Sequence, residues 1–377
     1  MQSGSPGYET RRKEQMNYPA HGGNLRWAAV RYGLRPEEFL DFSANVNPLG
    51  PPPGALNAAR QALRALSAYP EPQAESLREE LAEFLGKDPS LLTLGNGSTD
   101  LIHHLLRRLS PRRVLVVAPA FTEYARAAEL AGASVAHHVL SPADGFRLHA
   151  EKLAQEAARV DAVFFCNPAS PTGALYRRDE LFPLLEACRR GGVVLAVDES
   201  FLDFCAEVEA LECSLLEMVG EEELAVFSTF TKLYALAGLR GPGWLAGPRE
   251  LVTGLEGNGI PWRVNAVAAA AARACLADAG YLRRTREAVR KWRGELSGKL
   301  ERTGIFQVFP SHANYLLLRA RGGAAAAGEL VDGLGRRGIL VRPCGDFAGL
   351  DGSFLRVAVR RPSDNRRLLE ALQETVS

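Results

Sequence analysis

Apolar residues through the middle of the chain fall into short unbroken runs separated by stretches of helical period. The runs at 114–118 (VLVVA), 162–166 (AVFFC) and 193–197 (VVLAV) are apolar at every position. Such runs suit strands covered on both faces, as in a mainly parallel sheet with helices on either side. Residues 134–140, 225–230 and 244–246 read as further strands, and 101–109, 121–131 and 178–190 as helices. Strand and helix alternate at the spacing of an α/β unit. From about residue 280 the pattern changes. A charged helix is expected over 281–302, strands at 306–309 and 315–319, and a helix over 324–337. Strands near 339–341 and 354–359 and a last helix from 363 complete a smaller α+β lobe. The expected organisation is a disordered tail over 1–20, a large α/β domain over 50–275, and a small domain made of 21–49 with 276–377. Alanine-rich stretches at 266–274 and 324–327 need no explanation beyond helix propensity.

Composition narrows the function classes. With 377 residues, 46% hydrophobic and 24% charged, the chain has the make-up of an ordinary soluble globular protein. A net charge of +1 argues against a nucleic-acid-binding or membrane-attracting field. No stretch of about 18 apolar residues is present to span a bilayer. The six cysteines show neither a CxxC pair nor a metal-like spacing, so reduced thiols, a cytoplasmic location and no metal are expected. Residues 1–17 are polar, without the apolar core of a secretory signal. Met16 offers a second start position, and the residues before it are expected to carry no chemistry.

Chemistry concentrates in a few segments. In Ser228-Thr-Phe-Thr-Lys232, a lysine follows an apolar strand and two threonines, Thr229 and Thr231, and Arg240 comes eight residues later. That order suits an amine that forms a Schiff base beside an anchored phosphate. Upstream, Gly95-Asn-Gly-Ser-Thr-Asp100 opens a helix. The backbone N–H groups of Gly97, Ser98 and Thr99 there suit a phosphate, although the same sequence also reads as a plain N-cap. Phe121 follows the strand 114–118, and Tyr124 lies one helical turn on. Either a stacking platform or a core aromatic fits Phe121. Asn167 begins Asn167-Pro-Ala-Ser-Pro-Thr-Gly173 directly after the strand AVFFC, in a turn fixed by prolines and glycine. Asp198 ends the strand VVLAV, where a buried carboxylate needs a cationic partner or serves as a helix cap.

These segments, in this order, resemble the fold-type I pyridoxal-phosphate enzymes over nearly the whole chain from His21. The resemblance implies a large domain with a mainly parallel sheet flanked by helices, plus a smaller α+β domain. It implies pyridoxal 5'-phosphate as cofactor and Lys232 as the catalytic Schiff-base lysine, with a lowered pKa. Gly97, Ser98, Thr99, Thr229, Thr231 and Arg240 would hold the cofactor phosphate. Phe121 would stack on the ring, Asn167 would donate to its phenolic oxygen, and Asp198 would pair with its nitrogen. Tyr69, in Ala68-Tyr69-Pro70, matches a tyrosine that reaches the phosphate of the neighbouring subunit, implying a homodimer with shared sites. Arg356 matches the arginine that holds the substrate α-carboxylate, with Arg342 a second cation.

Order and spacing most resemble the histidinol-phosphate aminotransferase branch. Within it, His21-Gly22-Gly23-Asn24 and Asp41-Phe-Ser-Ala-Asn45-Val-Asn47-Pro48 look like the threonine-phosphate decarboxylase group, which supplies a phosphorylated aminopropanol for cobalamin. That likeness implies a small phosphorylated amino acid as substrate. Its phosphate would meet His21, Gly22, Asn45 and Arg342. Gly22 and Gly23 would let backbone approach the anion. Phe201 stands where many aminotransferases of the branch carry tyrosine. Aminotransfer from histidinol phosphate is the alternative reaction, a serine-phosphate preference a near variant, and a non-catalytic binding protein of the same fold a third reading. The intact Lys232 and the absence of a helix-turn-helix extension or basic patch speak against the last.

Overall fold

The computed structural model describes residues 18–220 and 223–376. Met1, Met16 and nearly all of the expected tail lie outside them. By Cα proximity the chain divides into two units. One comprises Val46–Lys291 with Pro310–Asn314; the other comprises Met1–Asn45, Trp292–Phe309 and Tyr315–Ser377. The long helix Tyr281–Arg302 is thus divided between them, whereas the sequence pattern suggests a boundary at 275. Its first turns stay with the large unit because Tyr281 and Thr285 bond Asn47, and Tyr281 donates to the carbonyl of Gly50.

The strands in chain order are β1 (Leu40–Asp41), β2 (Leu92–Gly95), β3 (Arg113–Ala118), β4 (Ser134–Val139), β5 (Ala162–Cys166), β6 (Val194–Asp198) and β7 (Leu224–Thr229). They continue with β8 (Gly243–Ala246), β9 (Phe306–Val308), β10 (Tyr315–Ala320), β11 (Ile339–Leu340), β12 (Arg342–Pro343) and β13 (Phe354–Ala358). In the large unit a seven-stranded sheet has the order β2-β8-β7-β6-β5-β3-β4. It is parallel from β7 to β4, and β8 runs antiparallel to both its neighbours. The apolar runs explain this layout. In the middle of the sheet every residue of β5 and β7 is buried, while β4 with His137 and Val139 exposed closes one edge. Helices such as Gly97–Leu109 and Glu123–Leu130 supply Leu101, Leu105, Tyr124 and Ala128 to the core beside Val116, Phe164 and Phe227.

Register then gathers the chemistry. Cys166 pairs with Asp198 and Asp198 with Phe227, so β5 and β6 end together and β7 runs on past them to Thr229. Asn167, Asp198 and Thr229 therefore share the carboxyl edge of the sheet, where open α/β sheets bind ligands.

The second unit has a four-stranded antiparallel sheet of order β12-β13-β10-β9 and a parallel pair, β1 with β11. Phe42, Leu316, Leu318, Leu330, Val357 and Leu368 form its core under the helices Gly323–Arg336 and Pro362–Val376. In β12 and β13, Arg342 is the direct cross-strand partner of Arg356.

Candidate active site

The helix Gly97–Leu109 begins without a capping hydrogen bond from the Asn96 side chain. Asp100 instead accepts the Asn96 N–H at 3.0 Å. Backbone donors at a helix start are left to suit an anion. Arg240 comes to the same place: its Nη2 donates to the Asn96 carbonyl at 3.2 Å. Only glycine permits this convergence. A Cβ on Gly97, which has φ +74°, would lie 2.7 Å from Arg240 Nη2, and a Cβ on Gly243 would lie 2.3 Å from Ser98 N. Thr229 and Thr231, both buried, stand with their hydroxyls 3.0 Å apart at the end of β7. Helix N–H groups, two hydroxyls and a guanidinium make a donor set suited to a phosphate.

Next along the carboxyl edge, Asp198 is buried and clamped on both oxygens. Ser200 N–H donates to Oδ1 at 2.9 Å, and the Tyr124 hydroxyl donates to Oδ2 at 2.7 Å. Burial, reinforced by the Asp198 charge, holds the Tyr124 phenol far above its ordinary pKa, so it remains a donor. The Phe121 ring meets Tyr124 edge-on at 5.6 Å. Lys232 lies in the short helix Phe230–Leu233, half-buried, with its Nζ 5.9 Å from the centre of the Phe201 ring. Its carbonyl accepts from Asn47 N–H at 3.1 Å, and Asn47 Nδ2 donates to the Leu233 carbonyl at 2.7 Å. Asn47 thereby fixes the turn that presents the lysine.

Within the second unit, Arg356 is set by its own neighbours. Its Nη2 donates to the Ser43 carbonyl at 3.0 Å, and its guanidinium lies 5.4 Å from the centre of the Tyr315 ring. With its amide oxygen turned toward the guanidinium, Asn45 accepts from Nε at 3.3 Å and Nη1 at 3.1 Å. Burial pulls this guanidinium below its ordinary pKa.

The family model described as "Aminotransferase class I and II" matches residues 37–372. The chain belongs to the class I and II aminotransferase family. Among curated relatives of this aminotransferase-family chain, threonine-phosphate decarboxylase of Salmonella typhimurium is 34% identical, covering 95% of the chain and 97% of the relative. Histidinol-phosphate aminotransferase of Symbiobacterium thermophilum is 36% identical, covering 91% and 92%. The crystal structure of L-threonine-O-3-phosphate decarboxylase from Porphyromonas gingivalis superimposes with TM-score 0.78 at 25% identity, covering 89% of this chain and 98% of that one. The relatives thus carry two reactions on one fold.

Several expected site residues of this aminotransferase-family chain have partners within the protein. Asn167 is fully buried; its Nδ2 donates to the Tyr176 carbonyl at 2.8 Å and faces that of Cys213 at 3.4 Å, while Oδ1 accepts from Tyr176 N–H. It ties its own loop, and the expected donation to a cofactor oxygen is not built in this arrangement. Gly22 is glycine because a Cβ would lie 2.2 Å from the Ser43 carbonyl oxygen. The close approach expected toward an anion is made to protein backbone. Gly23 N–H donates to Ser43 Oγ, and Asn24 caps the helix Leu25–Tyr32, so the His-Gly-Gly-Asn motif docks the arm. Asn45, which was expected to meet a phosphate, here turns its amide oxygen to the Arg356 guanidinium. His21 is exposed on that arm. Tyr69 is 82% exposed, its ring 4.8 Å from that of Trp262.

Ser43 and Asn47 stood in the sequence reading only as members of a motif, without a role of their own, and Gly243 escaped it. Gly243 had a local signal, the Gly241-Pro-Gly243 turn just after Arg240.

Proposed function

We propose that this chain is a pyridoxal-phosphate-dependent decarboxylase converting L-threonine O-3-phosphate to (R)-1-aminopropan-2-yl phosphate and CO2, a product used for the nucleotide loop of cobalamin. One observation carries the choice of reaction. A phenylalanine ring, Phe201, stands 5.9 Å from Lys232 Nζ, where many aminotransferases of the branch place a tyrosine. The 34% identity to a named threonine-phosphate decarboxylase across 95% of the chain supports the same reading. The 36% identity to a histidinol-phosphate aminotransferase keeps aminotransfer as the second reading.

The residues fit the cofactor. The helix start at Gly97–Thr99, the hydroxyls of Thr229 and Thr231, and Arg240 would hold its phosphate. Asp198, held in place by two donors, would hold its protonated ring nitrogen, and Phe121 would cover a ring face. When bound, the cofactor supplies a sink for the electron pair left at Cα. The protein decides which bond at Cα yields that pair. Arg356, fixed by Ser43, Asn45 and Tyr315, binds the α-carboxylate and thereby sets its orientation. Arg342 and His21 receive the substrate phosphate. Lys232 Nζ delivers the proton that replaces CO2 at Cα. Exposed Tyr69 reaches the phosphate site of a second copy, so the working enzyme is a homodimer with shared sites. A cytoplasmic location accords with six buried free cysteines. Among the described residues, no helix is long and apolar enough to cross a membrane.

The test is to incubate purified holoenzyme with threonine phosphate and no keto acid. Release of CO2 with aminopropan-2-yl phosphate supports decarboxylation. Turnover only with histidinol phosphate plus 2-oxoglutarate overturns it.

A further inference from the structure

Arg342 and Arg356 are cross-strand partners, and both are buried, at 4% and 8% exposure. Like charges directly opposite one another on a sheet repel, and a buried cation is costly without a counter-charge. Arg342 has one. Its Nη2 donates to Asp346 Oδ2 at 2.6 Å, and Asp346, four residues on, remains 42% exposed. The other acceptors of this guanidinium are the neutral carbonyls of Ala20 and Pro343, and its face lies 4.9 Å from the centre of the Phe347 ring. Ala20 precedes His21, so the cation, its carboxylate and the N-terminal arm meet at one point.

We propose that Asp346 is a resident counter-ion of the phosphate subsite, exchanging with the phosphate of the ligand for the Arg342 guanidinium. The inference rests on the reading above that Arg342 receives the substrate phosphate. In the free enzyme Asp346 neutralises one of two adjacent buried arginines and holds the guanidinium fork in place. A phosphate of about −1.5 to −2 charge competes for the same N–H groups and leaves Asp346 in water, which its exposure permits. The product keeps that phosphate, so Asp346 also competes to expel it. Asp346 acts through Arg342 and is a positioning residue. Its negative charge raises the dissociation constants of substrate and product alike.

Asp346→Asn separates charge from position, because the amide oxygen still accepts from Nη2. The probe is inorganic phosphate, titrated calorimetrically into cofactor-loaded enzyme. The variant is expected to bind phosphate about three- to tenfold more tightly than wild type. The KM for threonine phosphate should fall with it, while kcat does not rise and the bound-cofactor absorbance is unchanged. Asp346→Ser, which also removes the charge at a solvent-facing position, serves if the asparagine variant fails to fold, with the same expected direction. Unchanged or weaker phosphate binding overturns the proposal. This titration needs no turnover, so its failure counts against Asp346 alone. Failure of the wild-type enzyme to decarboxylate threonine phosphate counts against the functional reading.

Discussion

Asp198 and Glu199 are adjacent in sequence and point into opposite surroundings. Asp198 meets Tyr124 and Ser200, while Glu199 accepts from Ser214 Oγ and Leu215 N–H, each at 2.7 Å, beside a cavity of about 300 Å³. Burial pushes the Glu199 carboxyl up to about 7 from 4.5, and its two donors offset only part of that. The folded protein therefore keeps this proton at pH values where the unfolded chain has lost it. The associated stability is fully present below about 4.5 and is lost as pH rises through about 7. Glu199→Gln keeps an oxygen for Leu215 N–H and removes the ionisation. Relative to wild type, the glutamine variant should gain stability as pH rises from 4.5 to 7, by up to about 3 kcal/mol. Urea unfolding at several pH values measures this; a difference that does not change with pH contradicts it.

At the scale of elements, the proposed cofactor cradle depends on how closely the start of the helix Gly97–Leu109 approaches β8. Gly243 has no room for a Cβ, and the obstacle is the backbone of Gly97 and Ser98, which moves only with its helix. Gly243→Ala should weaken cofactor binding about tenfold or more, the range typical of overpacking by 1–3 kcal/mol. Absorbance titration of the apo-protein with pyridoxal phosphate measures it, and unaltered affinity would contradict the anion-cradle reading. The elements themselves were largely legible, because unbroken apolar runs such as AVFFC leave little choice but a buried strand. Less visible was β2, whose LTLG is short and polar at its second position; only pairing with β8 makes it a strand. Side-chain roles were harder to read. Asn45 and Asn47 sit two residues apart in one motif, yet one supports Arg356 and the other fixes the Lys232 turn. Those partners lie far away in sequence, and no local pattern records them. The glycines of the N-terminal arm misled for a related reason: a residue chosen for close approach does not say what approaches.

For the whole molecule, the question is whether one chain completes a site. Tyr69 lies 82% exposed against Trp262, a costly place for an aromatic pair unless a second copy covers it. Mixing a Tyr69→Ala chain with a Lys232→Ala chain tests this without knowledge of the interface. In a shared-site homodimer, half of the sites in the mixed dimer contain an intact lysine and the partner's intact tyrosine. Activity should then recover above the level of either parent variant, toward about a quarter of wild type if subunits exchange freely; no recovery contradicts sharing. The central claim, however, concerns which bond at Cα breaks. The most direct measurement is to run the enzyme on threonine phosphate in D2O without a keto acid and follow both compounds by NMR. Decarboxylation with proton delivery by Lys232 predicts aminopropan-2-yl phosphate carrying one deuterium at the former Cα, with remaining substrate unlabelled. Threonine phosphate recovered with deuterium at Cα and no CO2 would show that the C–H bond breaks instead, and would contradict the account.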